Sequence, residues 1–138
     1  MTSGSCLCGA SKIFISGEPS GVVTCHCRDC RKISGSVYSV NWVVPSTNVS
    51  VVGHGLSSVA VTAGSGNRIT GYFCSGCGTT LYRASDGVPG LWFVKAGVLD
   101  GEAALAAHPP AGESFVGTRV GWVPKLKDVQ QADGHCKL

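Results

Sequence analysis

The sequence has few charged residues, few aromatic residues and no long apolar segment. Charged residues make up 14% of the 138-residue chain, against roughly 25% in typical globular proteins. The formal net charge is only +3 and the basic residues are scattered along the chain, which argues against a nucleic-acid-binding surface. No apolar stretch approaches the roughly 18 residues that a membrane-spanning helix needs. We therefore expect neither nucleic acid nor membrane as a partner.

The first residues also lack a targeting pattern. Met1–Cys6 contains no basic segment followed by an apolar run, so no secretory signal is indicated. This favours a cytoplasmic location, which is a reducing compartment. Cysteines there serve as metal ligands or reactive thiols more often than as disulfides.

The chain is rich in glycine and in short runs of β-branched residues. Twenty glycines and 43% hydrophobic residues exclude disorder and favour a turn-rich, mainly β domain. We assign residues 4–125 to one domain and 126–138 to a C-terminal tail, mobile from Gln130 onward. Short helices are predicted at Asp29–Ser34 and Gly101–Ala107. Strands are predicted at Lys12–Ser16, Val22–Cys25, Val37–Val44, Val49–Val52, Val59–Thr62, Arg68–Phe73, Thr80–Arg83 and Leu91–Lys95.

The eight cysteines carry the chemical information. Seven of them fall into three close groups, and such spacings are typical of zinc ligands. A redox dithiol is the alternative for the C-x-x-C pair alone. The eighth, Cys136, is expected to be a free thiol. The three groups are Cys6 with Cys8, then Cys25, Cys27 and Cys30, then Cys74 with Cys77.

Seven cysteines divide into four and three. A structural zinc takes four protein ligands, whereas a catalytic zinc takes three and keeps an open position. The two separated pairs could hold the first ion and the compact triplet the second. The other division, Cys25 and Cys27 with the C-x-x-C pair, stays open, but it leaves the remaining thiols without a site.

These cysteine blocks resemble one family over nearly the whole chain, from residue 4 to about 125. The sequence is similar to the glutathione-dependent formaldehyde-activating enzyme family, also described as the centromere-protein-V-type domain. The matching blocks are Gly4–Gly9, Cys25–Lys32 with Gly35 and Ser36, and Phe73–Thr79, with weaker echoes at Gly97–Asp100 and Trp122–Pro124.

The resemblance implies a β-tent fold, in which zinc ions hold small antiparallel sheets together, and it implies two zinc ions. It implies a carbon–sulfur lyase that handles a glutathione–aldehyde (S-hydroxymethyl) adduct. Family members often carry a histidine where this chain has Glu113, which points to a different substrate. The resemblance implies a structural zinc on Cys6, Cys8, Cys74 and Cys77 and a catalytic zinc on Cys25, Cys27 and Cys30.

Residues around the triplet are candidates for substrate binding. Arg28, Arg31 and Lys32 could offset the negative charge of a three-thiolate site or receive a carboxylate. Tyr38 shares a strand face with Trp42, so it is a candidate for the pocket wall or the core. His26 lies between two ligands, and we expect a structural hydrogen-bonding role for it.

Three functions follow from this pattern. The first is the zinc lyase described above, with glutathione as co-substrate. The second is a related enzyme of secondary metabolism that acts on a small apolar metabolite without glutathione. The third is a non-enzymatic zinc-binding interaction module, which a fourth protein ligand on the second zinc would favour.

Overall fold

The chain forms eleven short strands and two helices over residues 1–137, the part that the computed structural model describes. The helices are α1 (Arg28–Ser34) and α2 (Glu102–Ala107). The strands are β1 (Thr2–Ser5), β2 (Ser11–Ile15), β3 (Gly21–Cys25), β4 (Ser39–Pro45), β5 (Val49–Gly53), β6 (Leu56–Thr62), β7 (Arg68–Cys74), β8 (Thr80–Ser85), β9 (Leu91–Lys95), β10 (Gly112–Ser114) and β11 (Gln130–Gln131). The protein is mainly β, as the sequence predicts.

Within these residues the strands form a small and a large sheet. The small sheet has the order β1-β2-β5 and the large sheet the order β11-β10-β3-β4-β9-β8-β7-β6. Neighbouring strands are antiparallel except around β10, which runs parallel to β3 and β11. A backbone bridge from Gly4 to Leu99 joins β1 to the segment after β9. This approach requires glycine, because a Cβ at position 4 would lie 2.3 Å from the carbonyl oxygen of Val98.

The large sheet has two chemically different faces, because side chains alternate along each strand. One face directs Val22, Trp42 and Val94 into the apolar core, where each is at most 4% exposed. Ile13 and Ile15 of the small sheet are fully buried in the same core. The opposite face borders the cavity described below, so the sheet separates the core from the candidate site.

Three aromatic rings stack across neighbouring strands on the core side of the large sheet. The ring centroids of Tyr72 and Tyr82 are 4.7 Å apart, and those of Tyr82 and Trp92 are 4.1 Å apart. Burial, with the neighbouring Tyr72, raises the pKa of Tyr82 to about 12. The stack therefore ties β7, β8 and β9 together with uncharged rings.

The two helices begin and end within one residue of the predicted limits. Helix α1 is capped by Cys27, whose Sγ accepts a hydrogen bond from the Cys30 amide at 3.4 Å, and it ends at Gly35, where φ is 67°. Helix α2 ends just before the two prolines at 109 and 110. Three 3₁₀ helices of three residues each complete the helical segments of residues 1–137, and no helix there has the length and apolarity to cross a membrane.

The C-terminal residues pack on the large sheet instead of standing apart from it. Strand β11 pairs with β10, and the Leu126 amide donates to Glu113 Oε2 at 2.9 Å. The Cys136 amide donates to Ser114 Oγ at 3.0 Å. The segment from Gln130 onward, which the sequence predicts to be mobile, thus contributes a strand and part of the cavity wall. Leu138 lies outside the described residues.

Candidate metal centres and the adjoining cavity

Four cysteines from two distant turns come together at one end of the molecule. Cys6 and Cys8 lie on the turn between β1 and β2. Cys74 ends β7, and Cys77 lies on the turn between β7 and β8. Their Sγ atoms all lie within 4.8 Å of one another. The Cys6–Cys8 and Cys8–Cys74 Sγ distances are 3.6 and 3.8 Å. Tetrahedral zinc with bonds near 2.3 Å requires about 3.8 Å between sulfurs, so this group fits the ion.

Local hydrogen bonds favour the thiolate form of two members of this four-cysteine cluster, while the Ala10 amide fails to offset the neighbouring cysteines that raise the pKa of Cys8 to about 11. The Ser11 amide donates to Cys6 Sγ at 3.3 Å and lowers the pKa of Cys6. The hydroxyl and amide of Thr79 lower the pKa of Cys77 to about 5. Gly78 follows Cys77 with a φ of 77°, a backbone conformation that glycine adopts without strain. The turns are therefore shaped to present thiolates to a cation.

The other three cysteines form a second cluster on one short segment. Cys25 ends β3, Cys27 caps α1, and Cys30 lies in the first turn of that helix. Their Sγ atoms lie within 4.8 Å of one another, and Cys25 and Cys30 are buried. Hydrogen bonds from Cys25 and Cys27 lower the pKa of Cys30, while hydrogen bonds with Cys27 and Cys30 raise the pKa of Cys25. These shifts favour the thiolate on Cys30, and the all-sulfur donor set of the cluster suits zinc.

A cavity of about 660 Å³ opens beside the three-cysteine cluster. All three of its cysteines border the cavity. The floor is the second face of the large sheet, and the C-terminal segment contributes His135 and Cys136 to the wall. Most of the lining area is apolar, and its larger apolar side chains are Val23, Val61, Ile69, Val88, Leu91, Phe93 and Phe115.

Charged groups also face the cavity. Arg83 lies on β8, and its Nη2 donates to Asp29 Oδ2 at 3.3 Å, which links the sheet to α1. Lys95 lies on β9, is 9% exposed, and donates from Nζ to Asn41 Oδ1 at 2.6 Å. Arg28 completes the set of basic side chains that line this cavity over residues 1–137. The basic side chains outnumber the single carboxylate of the lining, Asp29.

Behind the three-cysteine cluster lies a buried network around Glu113. His26 Nε2 is 2.8 Å from Glu113 Oε1, and both residues are at most 1% exposed. Glu113 Oε2 accepts from Arg119, from the Leu126 amide and from Gln131, all within 2.9 Å. Burial opposes ionisation of Glu113, but these hydrogen bonds and the nearby Arg119 charge outweigh it and lower its pKa to about 2. Glu113 therefore holds the C-terminal segment in place and does not line the cavity.

The sequence-based substrate candidates occupy different environments. Arg28 borders the cavity, whereas Arg31 and Lys32 are exposed on α1 and are not among its lining residues. The ring of Tyr38 packs 5.6 Å from that of His26, outside the cavity lining. His26 forms a buried hydrogen bond with Glu113, which agrees with the structural role expected for it.

Sequence reasoning missed Asn41, Arg83 and Lys95 as cavity residues. Each lies on a strand whose pattern was recognised, and the alternation along that strand places it opposite the core residues. Which of the two faces borders a cavity depends on the packing of the whole sheet. The only sequence signal was a lysine at the end of an otherwise apolar run, Leu91–Lys95.

The fold and the cysteines define a class of small, mainly β protein with two cysteine clusters that have metal-binding geometry. Residues 1–118 match the family described as "Glutathione-dependent formaldehyde-activating enzyme", so the chain belongs to this family. A crystal structure of a Rhodobacter sphaeroides protein, a structural genomics target, has a similar fold with a TM-score of 0.57. The two sequences are 21% identical, and the match covers 72% of this chain and 88% of the other.

Proposed function

We propose that this protein is a zinc-dependent enzyme of the carbon–sulfur lyase type. Its substrate would be the S-hydroxymethyl adduct of glutathione and formaldehyde, or a similar small carbonyl–thiol adduct. The observation that carries the proposal is the position of the three-cysteine cluster on the wall of a cavity of about 660 Å³. A cavity of this size suits a small-molecule substrate.

The two clusters would have separate roles. We assign Cys6, Cys8, Cys74 and Cys77 to a structural zinc. We assign Cys25, Cys27 and Cys30 to a catalytic zinc, which when bound would offer a fourth position to a substrate thiolate or carbonyl oxygen. Within residues 1–137 the second group has three members of ligand type, one fewer than a closed site requires. This favours an enzyme over a non-enzymatic zinc module.

The protein's own side chains would bind and orient the adduct. In the synthetic direction the thiolate sulfur attacks the aldehyde carbon, a carbon–sulfur bond forms, and the carbonyl oxygen takes up a proton. The reverse reaction breaks that bond and returns the proton. Arg28 and Arg83 would attract the anionic parts of the substrate, and Phe93 and Ile69 would exclude water from the reacting atoms. A reaction that depends on free thiols fits the reducing cytoplasm.

Exchange spectroscopy on the zinc-loaded protein tests the proposal. The enzyme should accelerate exchange between free aldehyde and glutathione adduct in NMR spectra above the rate in buffer. The Cys27→Ser variant at equal concentration is the control, and it should exchange at the buffer rate. Exchange by the zinc-loaded protein that is no faster than in buffer would contradict the glutathione–formaldehyde reaction.

The apolar lining supports a second candidate within the same family. Val23, Leu91 and Phe93 border the cavity beside the cysteines, and an apolar metabolite would bury surface against them. Such an enzyme would act on a small carbonyl compound or thioether without glutathione. Metabolite profiles of a deletion strain would distinguish the two: an accumulating apolar carbonyl or thioether supports the second candidate, and an unchanged profile counts against it.

A further inference from the structure

A buried lysine without an acidic partner lies on the floor of the cavity. Lys95 is 9% exposed, borders the cavity, and donates to Asn41 Oδ1 at 2.6 Å. An ammonium group has three N–H donors, and this amide oxygen takes one of them. None of the ion pairs found over residues 1–137 includes Lys95. The side chain therefore brings a positive charge and spare donors to the cavity.

The amide that holds Lys95 is itself held in place. Asn41 Nδ2 donates to Ser39 Oγ at 2.9 Å, which fixes Asn41 with its oxygen towards the lysine. Both residues lie on β4, and Asn41 pairs with Lys95 across the β4–β9 ladder. A neutral amide orients an ammonium group without cancelling its charge. The charge of Lys95 thus stays available to a ligand in the cavity.

The cost of burying Lys95 is the reason to expect such a ligand. A buried charge is unfavourable unless it is paired. Burial lowers the pKa of Lys95, and negative charge on the three-cysteine cluster, chiefly on Cys30, opposes this effect without a hydrogen bond to the ammonium group. Arg83 differs, because Asp29 already provides it with a carboxylate at 3.3 Å. Arg28 also has no carboxylate partner over residues 1–137, but it is exposed, so Lys95 is the buried cavity cation with unused charge-assisted hydrogen bonds.

The position of Lys95 indicates which part of a substrate it would meet. Cys25 lies on β3 and Lys95 on β9, with β4 between them, so two strand spacings of about 4.8 Å separate their backbones. The two residues are also offset in register, because Cys25 pairs with Ser39 and Lys95 with Asn41. An oxygen on the carbon bonded to the substrate sulfur would stay close to the cysteines. A carboxylate several bonds away could reach the lysine.

We propose that Lys95, oriented by Asn41, is the carboxylate-binding residue of the site, and that the substrates are thiols or thiol adducts that carry a carboxylate. This inference rests on the proposed function, because it assumes that the substrate sulfur binds at the three-cysteine cluster. Lys95 then sets specificity: it selects acidic thiols over neutral thiols of the same size. Arg28 and Arg83 contribute general attraction for anions, and Lys95 supplies the fixed contact.

Binding of thiols to the cobalt(II)-substituted protein tests this without any assay of activity. Mercaptopropionate and its neutral analogue mercaptopropionamide are titrated separately, and the thiolate-to-cobalt absorption reports occupancy. The wild-type protein should bind the acid about tenfold more tightly than the amide, as expected for one charge-assisted hydrogen bond. Lys95→Met should reduce this ratio to about one, because the cation is lost and the apolar chain is kept.

Two further variants protect the test against misfolding and general charge effects. Asn41→Asp keeps the lysine and gives it an internal carboxylate, so it should also abolish the preference for the acid. Lys12→Met removes an exposed lysine from β2 and should leave the ratio at the wild-type value.

The outcomes separate this inference from the proposed function. A spectral response to both thiols with equal affinities in the wild-type protein overturns the role of Lys95 alone. A preference for the acid that persists in Lys95→Met and in Asn41→Asp overturns it as well. If neither thiol changes the spectrum, the proposed thiol-binding position is wrong, and the inference falls with it.

Discussion

The two cysteine clusters use the same ligand atom and differ in how the chain supplies it. The four-cysteine cluster draws on two turns, and Cys8 and Cys74 are separated by 66 positions. The three-cysteine cluster comes from the single segment Cys25–Cys30. A cation in the first would join the turn of the small sheet to a turn of the large sheet. A cation in the second would join residues that are already neighbours.

Under the proposed function, the four-cysteine cluster would contribute stability and the three-cysteine cluster would contribute chemistry. Linking distant parts of the chain restricts the unfolded state, and such a metal contributes free energy of folding directly. A local cluster adds less to the fold, and its position beside a cavity leaves one side available to a ligand. Four experiments test this comparison.

The largest effect is expected from a change in the four-cysteine cluster. Cys77→Ser should prevent stable folding, since structural zinc supplies about 10–16 kcal/mol in zinc-finger peptides, whereas a whole domain is stable by only about 5–15 kcal/mol. Circular dichroism during heating, with zinc content measured on the same sample, checks this. Cys136→Ser is the matched control, because Cys136 belongs to neither cluster, and it should melt close to the wild type. Equal melting of the two variants would show that this cluster is not a structural centre.

A change in the three-cysteine cluster should remove activity and leave the fold. Cys27→Ser should lower kcat/KM by more than about 100-fold, the upper range for residues that merely support metal ligands. Serine is a preferred helix N-cap, so α1 should keep its cap. Activity, zinc content and the melting curve are measured together. Loss of both zinc ions together with the fold would remove the distinction between the clusters.

Glu113 contacts His26, which lies between two cysteines of the three-cysteine cluster. Substitution of Glu113 should have an intermediate effect on the free energy of unfolding. Glu113→Gln should lower the free energy of unfolding by about 3 kcal/mol, because it breaks a buried charged network. Since the pKa of Glu113 is lowered from 4.5 to about 2, this contribution is present above pH 4.5 and is lost as the pH falls towards 2. Urea unfolding over a pH series measures it.

A second histidine–glutamate pair provides the control for that experiment. His108 pairs with Glu18, whose side chain is 78% exposed. Glu18→Gln should cost no more than about 1 kcal/mol, as is usual for exposed pairs. If the two variants lose the same stability, burial of the Glu113 network is not what stabilises the C-terminal segment.

The smallest effect is expected for the pair that links α1 to the sheet. Asp29 is 45% exposed and its contact with Arg83 is 3.3 Å long, so Asp29→Asn should change stability by about 1 kcal/mol or less. Urea unfolding at neutral pH measures this change beside Glu113→Gln. A larger loss than that of Glu113→Gln would mean that the three-cysteine segment depends on its exposed contacts, contrary to the comparison above.

Much of the fold follows from local sequence. All eight predicted strands have counterparts, because β-branched and aromatic residues there are bounded by Gly, Ser, Pro or Asn. Strands β1, β10 and β11 were missed since they are short and polar, and they form only because neighbouring strands provide partners. Thr2–Ser5, for example, contains no apolar residue that would indicate a strand.

The candidate site was less accessible from sequence because its key contacts are long-range. Cysteine spacing indicates ligands without any knowledge of the fold. Glu113, in contrast, looks like an exposed polar residue, and its burial depends on His26, 87 positions away. Lys95 looks like the charged end of a strand. Only the pairing of β4 with β9 shows that it shares a cavity face with Asn41.

The stacked rings of Tyr72, Tyr82 and Trp92 give the protein an internal optical reporter. At centroid separations of 4.7 and 4.1 Å the electronic transitions of neighbouring rings couple, which generates circular dichroism in the near ultraviolet. The signal exists only while β7, β8 and β9 hold their register. Because Tyr72 lies on the strand that ends at Cys74, loosening of the four-cysteine turn would be visible in the unlabelled protein, without a metal-specific probe.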